Sequence, residues 1–207
     1  MKLYLSSYKI GNEAEKLQSF FRKNKSVGYI PNALDFAGAD PQKKQKHIDE
    51  DLVSLREIGL DPQCIDLQDF FENQEELRPT IDALGGIWVS GGNVFVLRQA
   101  MYLSGLDEML TNDLGQREDF IYGGYSAAGC VLSPSLKCYQ IVDDCHETPY
   151  PECKNAIWEG LNIISFAFLP HFASDHPESA AIDKEVEYCT KNHIPFKTLR
   201  DGEVLVI

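Results

Sequence analysis

The 207-residue chain predicts an α/β fold in three layers, a mostly parallel sheet with helices on both faces. Three observations carry this. Short apolar runs alternate with longer amphipathic segments along the whole length. Several of the apolar runs end at glycine or proline, and no repeat, linker or low-complexity tract interrupts the order. A chain of this length can bury its own core, so residues 1–207 are expected to form one domain.

The elements follow in order. Lys2 to Leu5 reads as a strand, and Asn12 to Lys23 as a helix with Ala14, Leu17, Phe20 and Phe21 inward. Val27 to Ile30 is a second strand, ended by Pro31. From Gln42 to Ile58 the period is helical, with Ile48, Leu52, Leu55 and Ile58 on one face. Cys64 to Leu67 and Gly86 to Val89 read as strands, followed by helical patterns at Val94 to Tyr102 and Leu106 to Leu114. Phe120 to Tyr122 is a strand that breaks into a short helix. Ile163 to Phe168 is another strand, and Ser179 to Lys191 a last helix. Phe196 to Leu199 and Val204 to Ile207 suggest a closing hairpin with Asp201-Gly202 at its turn.

The charge balance narrows the partners. With 19 basic against 32 acidic residues the formal charge is -13, a surface that repels phosphate backbones, so neither nucleic acid nor membrane is an expected partner. The longest apolar stretch, Leu161 to Pro170, is far short of a membrane span. Met1 to Ser7 turns polar too soon for a signal peptide, so a cytoplasmic location is expected, with the six cysteines as reduced thiols. Cys138, Cys145, His146 and Cys153 lie near one another in sequence, but their spacing fits no C-x-x-C pattern, and no metal is expected.

Chemistry in such a sheet gathers at the carboxyl ends of the strands. Three segments fall there. Tyr122-Gly123-Gly124-Tyr125-Ser126-Ala127-Ala128-Gly129 is a strand breaking into a helix with serine at the tip, one residue short of G-x-S-x-G because Ala128 stands where the second glycine would be. A nucleophile there needs small neighbours, since strand and helix pass closely. Val89-Ser90-Gly91-Gly92-Asn93 is a glycine turn whose N–H groups can face a ligand, with Asn93 also suited to capping the next helix. It is neither a dinucleotide fingerprint nor a P-loop. Leu169-Pro170-His171-Phe172 places a histidine after a strand-ending proline, a post for a general base, with His176 as its competitor. Between serine and histidine, Asp143, Asp144 and Glu147 offer an acid to orient the base, in the Ser-Asp-His order of hydrolases.

Taken together, these segments resemble the dipeptidase E family of serine peptidases, the α-aspartyl dipeptidases, whose architecture is that of class I glutamine amidotransferase domains (flavodoxin-like). Gly86 to Leu97 is similar to the family's strand and G-G-G-N-x-F-x-L turn, Tyr122 to Gly129 to its G-x-S-A-G elbow, and Pro170-His171-Phe172 to its P-H-F/Y segment. Leu199-Arg200-Asp201-Gly202-Glu203 also resembles the family's last turn. The resemblance implies Ser126 as nucleophile, His171 as base, Asp144 as the orienting acid, and the Gly92 and Ala127 N–H groups as oxyanion hole. Gly91 and Asn93 would contact a small peptide substrate. It implies no cofactor, and a monomer or homodimer.

The chain departs from that pattern in three places. Ser90 stands for the first glycine of the triple, and the elbow reads S-A-A-G. The aspartyl dipeptidases carry an arginine shortly after the histidine segment to bind the substrate's aspartate side chain, whereas His176 to Asp183 contains none. An unpaired buried carboxylate is costly, so aspartyl specificity is not expected, although Lys184 could supply a point charge. Two rival readings are a non-catalytic ligand- or peptide-binding protein of the same fold, and an amidotransferase. The second would need a cysteine at position 126, and Cys130 lies a helical turn beyond it.

Overall fold

The computed structural model describes every residue except Ala37. Among the described residues eight strands are formed: β1 (Lys2–Ser6), β2 (Ser26–Ile30), β3 (Asp61–Cys64), β4 (Gly86–Val89), β5 (Ile121–Tyr125), β6 (Ala167–Leu169), β7 (Phe196–Thr198) and β8 (Val204–Val206). Six of them make one sheet in the order β3-β2-β4-β5-β1-β8, parallel throughout except for β8, which runs antiparallel to β1. This is the mostly parallel sheet expected from the alternating pattern.

Among the described residues seven α-helices surround it: α1 (Ala14–Phe20), α2 (Pro41–Glu57), α3 (Gln74–Asp82), α4 (Val94–Ser104), α5 (Leu106–Thr111), α6 (Ala127–Cys130) and α7 (Ser179–Lys191). Two apolar layers record which face each covers. Leu17 of α1 with Ile48 and Leu55 of α2 pack on Tyr4, Tyr29 and Trp88. Residues of α3 to α7 pack on Leu3, Leu5, Ile87, Val89 and Tyr122. The alternation Leu3-Tyr4-Leu5 and Ile87-Trp88-Val89 between the layers is the period of two that a strand covered on both faces requires.

Local sequence explains most boundaries. α2 opens at Asp40, whose carboxylate accepts from the Gln42 N–H at 2.9 Å, and Pro41 follows in the first turn. Three elements differ from expectation. The third strand is Asp61–Cys64, and the segment read as strand continues into a 3-10 turn at Leu67–Phe70 instead. The strand expected from Ile163 is only Ala167–Leu169. The closing hairpin does not form: β7 pairs in parallel with β6 in a separate two-stranded sheet, whereas β8 joins β1. The Asp201-Gly202 turn therefore carries the chain from one sheet to the other.

On the α1/α2 face, a buried network anchors the end of β5. Asp51 of α2 accepts from Lys9 Nζ at 2.6 Å, Tyr125 OH at 2.7 Å and Tyr29 OH at 2.9 Å. Removing the carboxylate would leave the Tyr29 hydroxyl without its acceptor and the Lys9 ammonium without its ion-pair partner, with only His47 Nε2 remaining beside Lys9 and Tyr125. Asp51→Ala is expected to destabilise the protein by about 3 kcal/mol. Urea unfolding checks this, and a loss below about 1 kcal/mol would show that the network adds little.

Candidate active site

The carboxyl ends of β1, β4 and β5 lie side by side in the sheet, and the glycine turn follows β4 while Ser126 follows β5. Ser126 follows β5 directly and precedes α6, with φ 50° and ψ -112°. Such a backbone is rare for a residue with a side chain and stores of the order of 1–3 kcal/mol. The Ser126 N–H donates to Ser6 O at 3.2 Å, which ties the break to β1. Gly124 is needed because a Cβ there would stand 2.4 Å from Val89 O and 2.5 Å from Ala128 Cβ. Ala128, where the motif has glycine, is thus the small residue that Gly124 makes room for.

The glycine turn after β4 lies against this break. A Cβ on Gly91 would stand 3.2 Å from Ser126 Cβ. Gly92 has φ 137°, and a Cβ there would meet Ala33 O at 2.3 Å. Among the described residues, the N–H groups of Gly92 and Ala127 have no hydrogen-bond acceptor, so both amides are available to an incoming oxygen. Asn93 is committed to structure. Its Oδ1 accepts from the Phe95 and Val96 N–H groups, capping α4, and its Nδ2 donates to Asp144 O at 3.0 Å.

The histidine loop reaches the same edge. His171 is 1% exposed, has φ 59°, and its N–H donates to Ser7 Oγ at 2.8 Å. Its Nδ1 stands 2.7 Å from Asp201 Oδ1. That carboxylate also accepts from Ser7 Oγ at 2.9 Å, and the Asp201 N–H donates to Ser174 Oγ at 2.8 Å. Burial lowers the His171 pKa from its ordinary value, and the nearby His176 lowers it too. The Asp201 hydrogen bond and charge oppose them, as does the Glu178 charge. Neutral imidazole is therefore the favoured form near neutrality. Its Nε2 faces Glu178 Oε2 at 3.9 Å, and Ser126 Oγ makes no hydrogen bond to any described residue.

The structure brings Asp201, not Asp144, to His171. The exposed Asp144 turns its Oδ1 to the His146 N–H at 2.9 Å. Asp143 Oδ2 accepts from Val94 N–H at 2.7 Å at the start of α4, and Glu147 O accepts from Gln99 Nε2. Sequence order misled here, because the partner comes from the last turn, 30 residues beyond the histidine. The available signal was the resemblance of Leu199 to Glu203 to the family's last turn.

His176 stacks on His171, ring centroids 3.7 Å apart and planes 9° from parallel, and Tyr8 lies edge-on to His171 and Tyr125 at 6.0 Å from each. With Glu178, the two histidines bring ligand atoms within 4.8 Å of one another, as do Asp144, Cys145 and His146. The stacked pair suits an ion poorly. Imidazole lone pairs lie in the ring plane, and an ion in one plane would sit well outside the other. All six cysteines are free, and burial pushes the Cys130 thiol well up, which suits a core residue and not a nucleophile. Lys184 lies on the exposed side of α7, and no contact brings it to the site.

One small cavity adjoins the serine. It holds about 20 Å³ and is lined by Ser126, Ala127 and the carboxyl-bearing Asp143, Glu178 and Glu185, among others. Glu185 is 1% exposed and its Oε2 has no partner. Burial raises the Glu185 pKa to about 9, with Asp143, Cys189 and Glu178 adding to the effect. Asp143 is likewise raised, to about 7, by burial against the opposing Val94 N–H.

A serine in strained backbone at the end of a central parallel strand, against a glycine turn with free amides, and a carboxylate-held histidine tied to the end of β1 are features that suit a hydrolase-type site on a flavodoxin-like α/β fold. Residues 5–207 match the profile of peptidase family S51, and the chain belongs to that family, serine-type peptide hydrolases. It is 28% identical to peptidase E of Streptomyces coelicolor over 191 residues, covering 86% of this chain and 74% of that one. An uncharacterized peptidase of Listeria innocua is 24% identical over 150 residues, covering 72% of this chain and 66% of its own length. Among solved structures, a candidate peptidase E from Listeria monocytogenes superposes with TM-score 0.74 at 20% identity, covering 100% of this chain and 97% of that one. A peptidase from an acI-B1 actinobacterium gives 0.64 at 16%, covering 100% and 82%. Among the described residues, no helix is long and apolar enough to cross a membrane.

The strain at position 126 is directly measurable. Ser126→Gly is expected to raise stability by about 1 kcal/mol while removing the hydroxyl, since glycine adopts positive φ without steric cost. A denaturation midpoint at or below that of the wild type would show that the break is not strained.

Proposed function

We propose that this protein is a cytoplasmic serine exopeptidase cleaving small peptides through Ser126, His171 and Asp201. The 2.7 Å contact between His171 Nδ1 and Asp201 carries the reading. With the Nδ1–H donating its hydrogen bond to Asp201, Nε2 holds the lone pair that accepts the serine proton. Ser126 Oγ attacks the scissile carbonyl and its proton passes to His171. The charge that develops on the carbonyl oxygen is met by the Gly92 and Ala127 N–H groups, worth about 3–4 kcal/mol per donor in comparable sites. His171 then protonates the leaving amine, and water repeats the sequence on the acyl-enzyme. No step calls for a cofactor. A single chain of one domain, as monomer or homodimer, holds all the groups this needs.

Hydrolysis of a mixed dipeptide library, followed by mass spectrometry, tests the reading. Wild type is expected to consume a subset of members, and Ser126→Ala none of them. Turnover that survives Ser126→Ala would refute the assignment.

The acid is tested by pH. Because burial lowers the His171 pKa and Asp201 works against that, the acid limb of kcat/KM should fall below the ordinary histidine value of 6.5. Asp201→Asn should move the limb lower still and reduce kcat by about 10²- to 10⁴-fold, a larger loss than Asp144→Asn produces. A limb that moves upward, or a greater loss from Asp144→Asn, would transfer the role away from Asp201.

A further inference from the structure

The cavity beside Ser126 is walled by more acid than the proposed catalysis uses. Asp143 reaches it from the loop after the elbow helix, and Glu178 and Glu185 from the N-terminal approach and the body of α7. Glu185 is the informative member. It is enclosed, and Oε2 finds no donor among the described residues, although a buried carboxyl oxygen normally has one. No lysine or arginine lines the cavity. A missing donor next to the nucleophile is a request for a ligand that supplies it.

We infer that this cavity binds a primary ammonium group on the residue whose carbonyl Ser126 attacks, with Glu185 as its principal acceptor. The inference rests on the peptidase reading and names its substrate class. Size and position both favour it. About 20 Å³ admits roughly one water-sized group. The α-nitrogen of an N-terminal residue lies only ~2.5 Å from its own carbonyl carbon, so an amine pocket for an exopeptidase must touch the nucleophile, as this one does. A lysine side chain is the other source of the same group, with only its ammonium entering a cavity of this size. An acidic side chain would find no lysine or arginine among the lining residues, unlike an aspartyl-specific site. Burial raises the Glu185 pKa to about 9, and an ammonium partner would oppose that shift by favouring the charged carboxylate.

Four ligands separate the sources: lysinamide carries both ammonium groups, norleucinamide the α-ammonium only, N-acetyl-lysinamide the side-chain ammonium only, and N-acetyl-norleucinamide neither. Their binding to wild type by calorimetry needs no turnover and no variant. At least one singly charged member is expected to bind about tenfold or more tighter than N-acetyl-norleucinamide. Which one does so identifies the source. Glu185→Gln should shrink that ratio about tenfold, and hydrolysis of the matching dipeptides should show the same order of preference. Equal binding of the neutral ligand, preference for Asp-Xaa peptides, or an undiminished ratio in a folded Glu185→Gln protein would overturn the inference. If hydrolysis persists in Ser126→Ala, the catalytic reading fails by itself, and the four-ligand comparison still decides the pocket.

Discussion

The closeness with which β5 passes β4 and then turns back over it governs the active edge of this molecule. Val89 O occupies the place where a Gly124 Cβ would be, so the strand can approach only without a side chain there. That approach brings Gly91 of the turn against Ser126, and the Gly92 and Ala127 N–H groups make no hydrogen bond among the described residues. Ser126 must then reverse direction within one residue, and its positive φ is the consequence. The strain persists because both flanks are fixed. Tyr125 is held through its hydroxyl by Asp51 on one face of the sheet, and α6 is buried against Phe168 on the other. A loosely packed neighbourhood would relax this break.

The histidine is positioned by a second, independent device. Ser7, the residue after β1, accepts the His171 N–H and donates to Asp201, so one hydroxyl fixes both members of the pair. Ser7 sits beside the break because β1 pairs with β5, residue by residue, from Lys2 with Ile121 to Ser6 with Tyr125. The parallel register thus carries positional information from the nucleophile to the base. Had the last turn closed a hairpin, Asp201 would have capped a two-stranded ribbon. Because β7 and β8 belong to different sheets, the turn crosses the edge instead and lies over His171.

What could be read in the sequence follows from this division. Strand β4, the elbow, the histidine segment and α7 are local patterns, since a period of two or 3.6 and a small-residue cluster need only near neighbours. Asn93 as a helix cap was equally local. The pairing of His171 with Asp201 was not. It depends on Ser7, 164 residues from the histidine, and on a choice of strand partner that no dipeptide encodes. Asp144 was attractive because chain order pointed to it, but its loop is docked by Asn93 and Gln99 against α4, and its carboxylate faces its own turn. Helix α3 escaped notice because Pro79 lies inside it, although Leu77 and Ile81 face the core one turn apart. A proline tolerated at that point reflects packing that local propensity cannot register.

Two features of the site work against stability, the strained serine and the unpartnered Glu185, and both line one cavity. Selection for stability alone would replace the first by glycine and the second by an apolar residue, which the surrounding Val142, Ile182 and Cys130 would accommodate. Costs that coincide in space within an otherwise close-packed apolar layer point to a shared use. The strained backbone at Ser126 is the geometry that the proposed attack would use. The enclosed carboxyl keeps a binding contact for a cation that is two bonds from that carbonyl or tethered to it. Binding such a cation satisfies Glu185 only when the carbonyl is already at Ser126, so recognition and alignment become one event. The departure from an arginine-bearing pocket and the appearance of a carboxyl in this cavity then have a single electrostatic meaning, a site whose preferred charge is reversed.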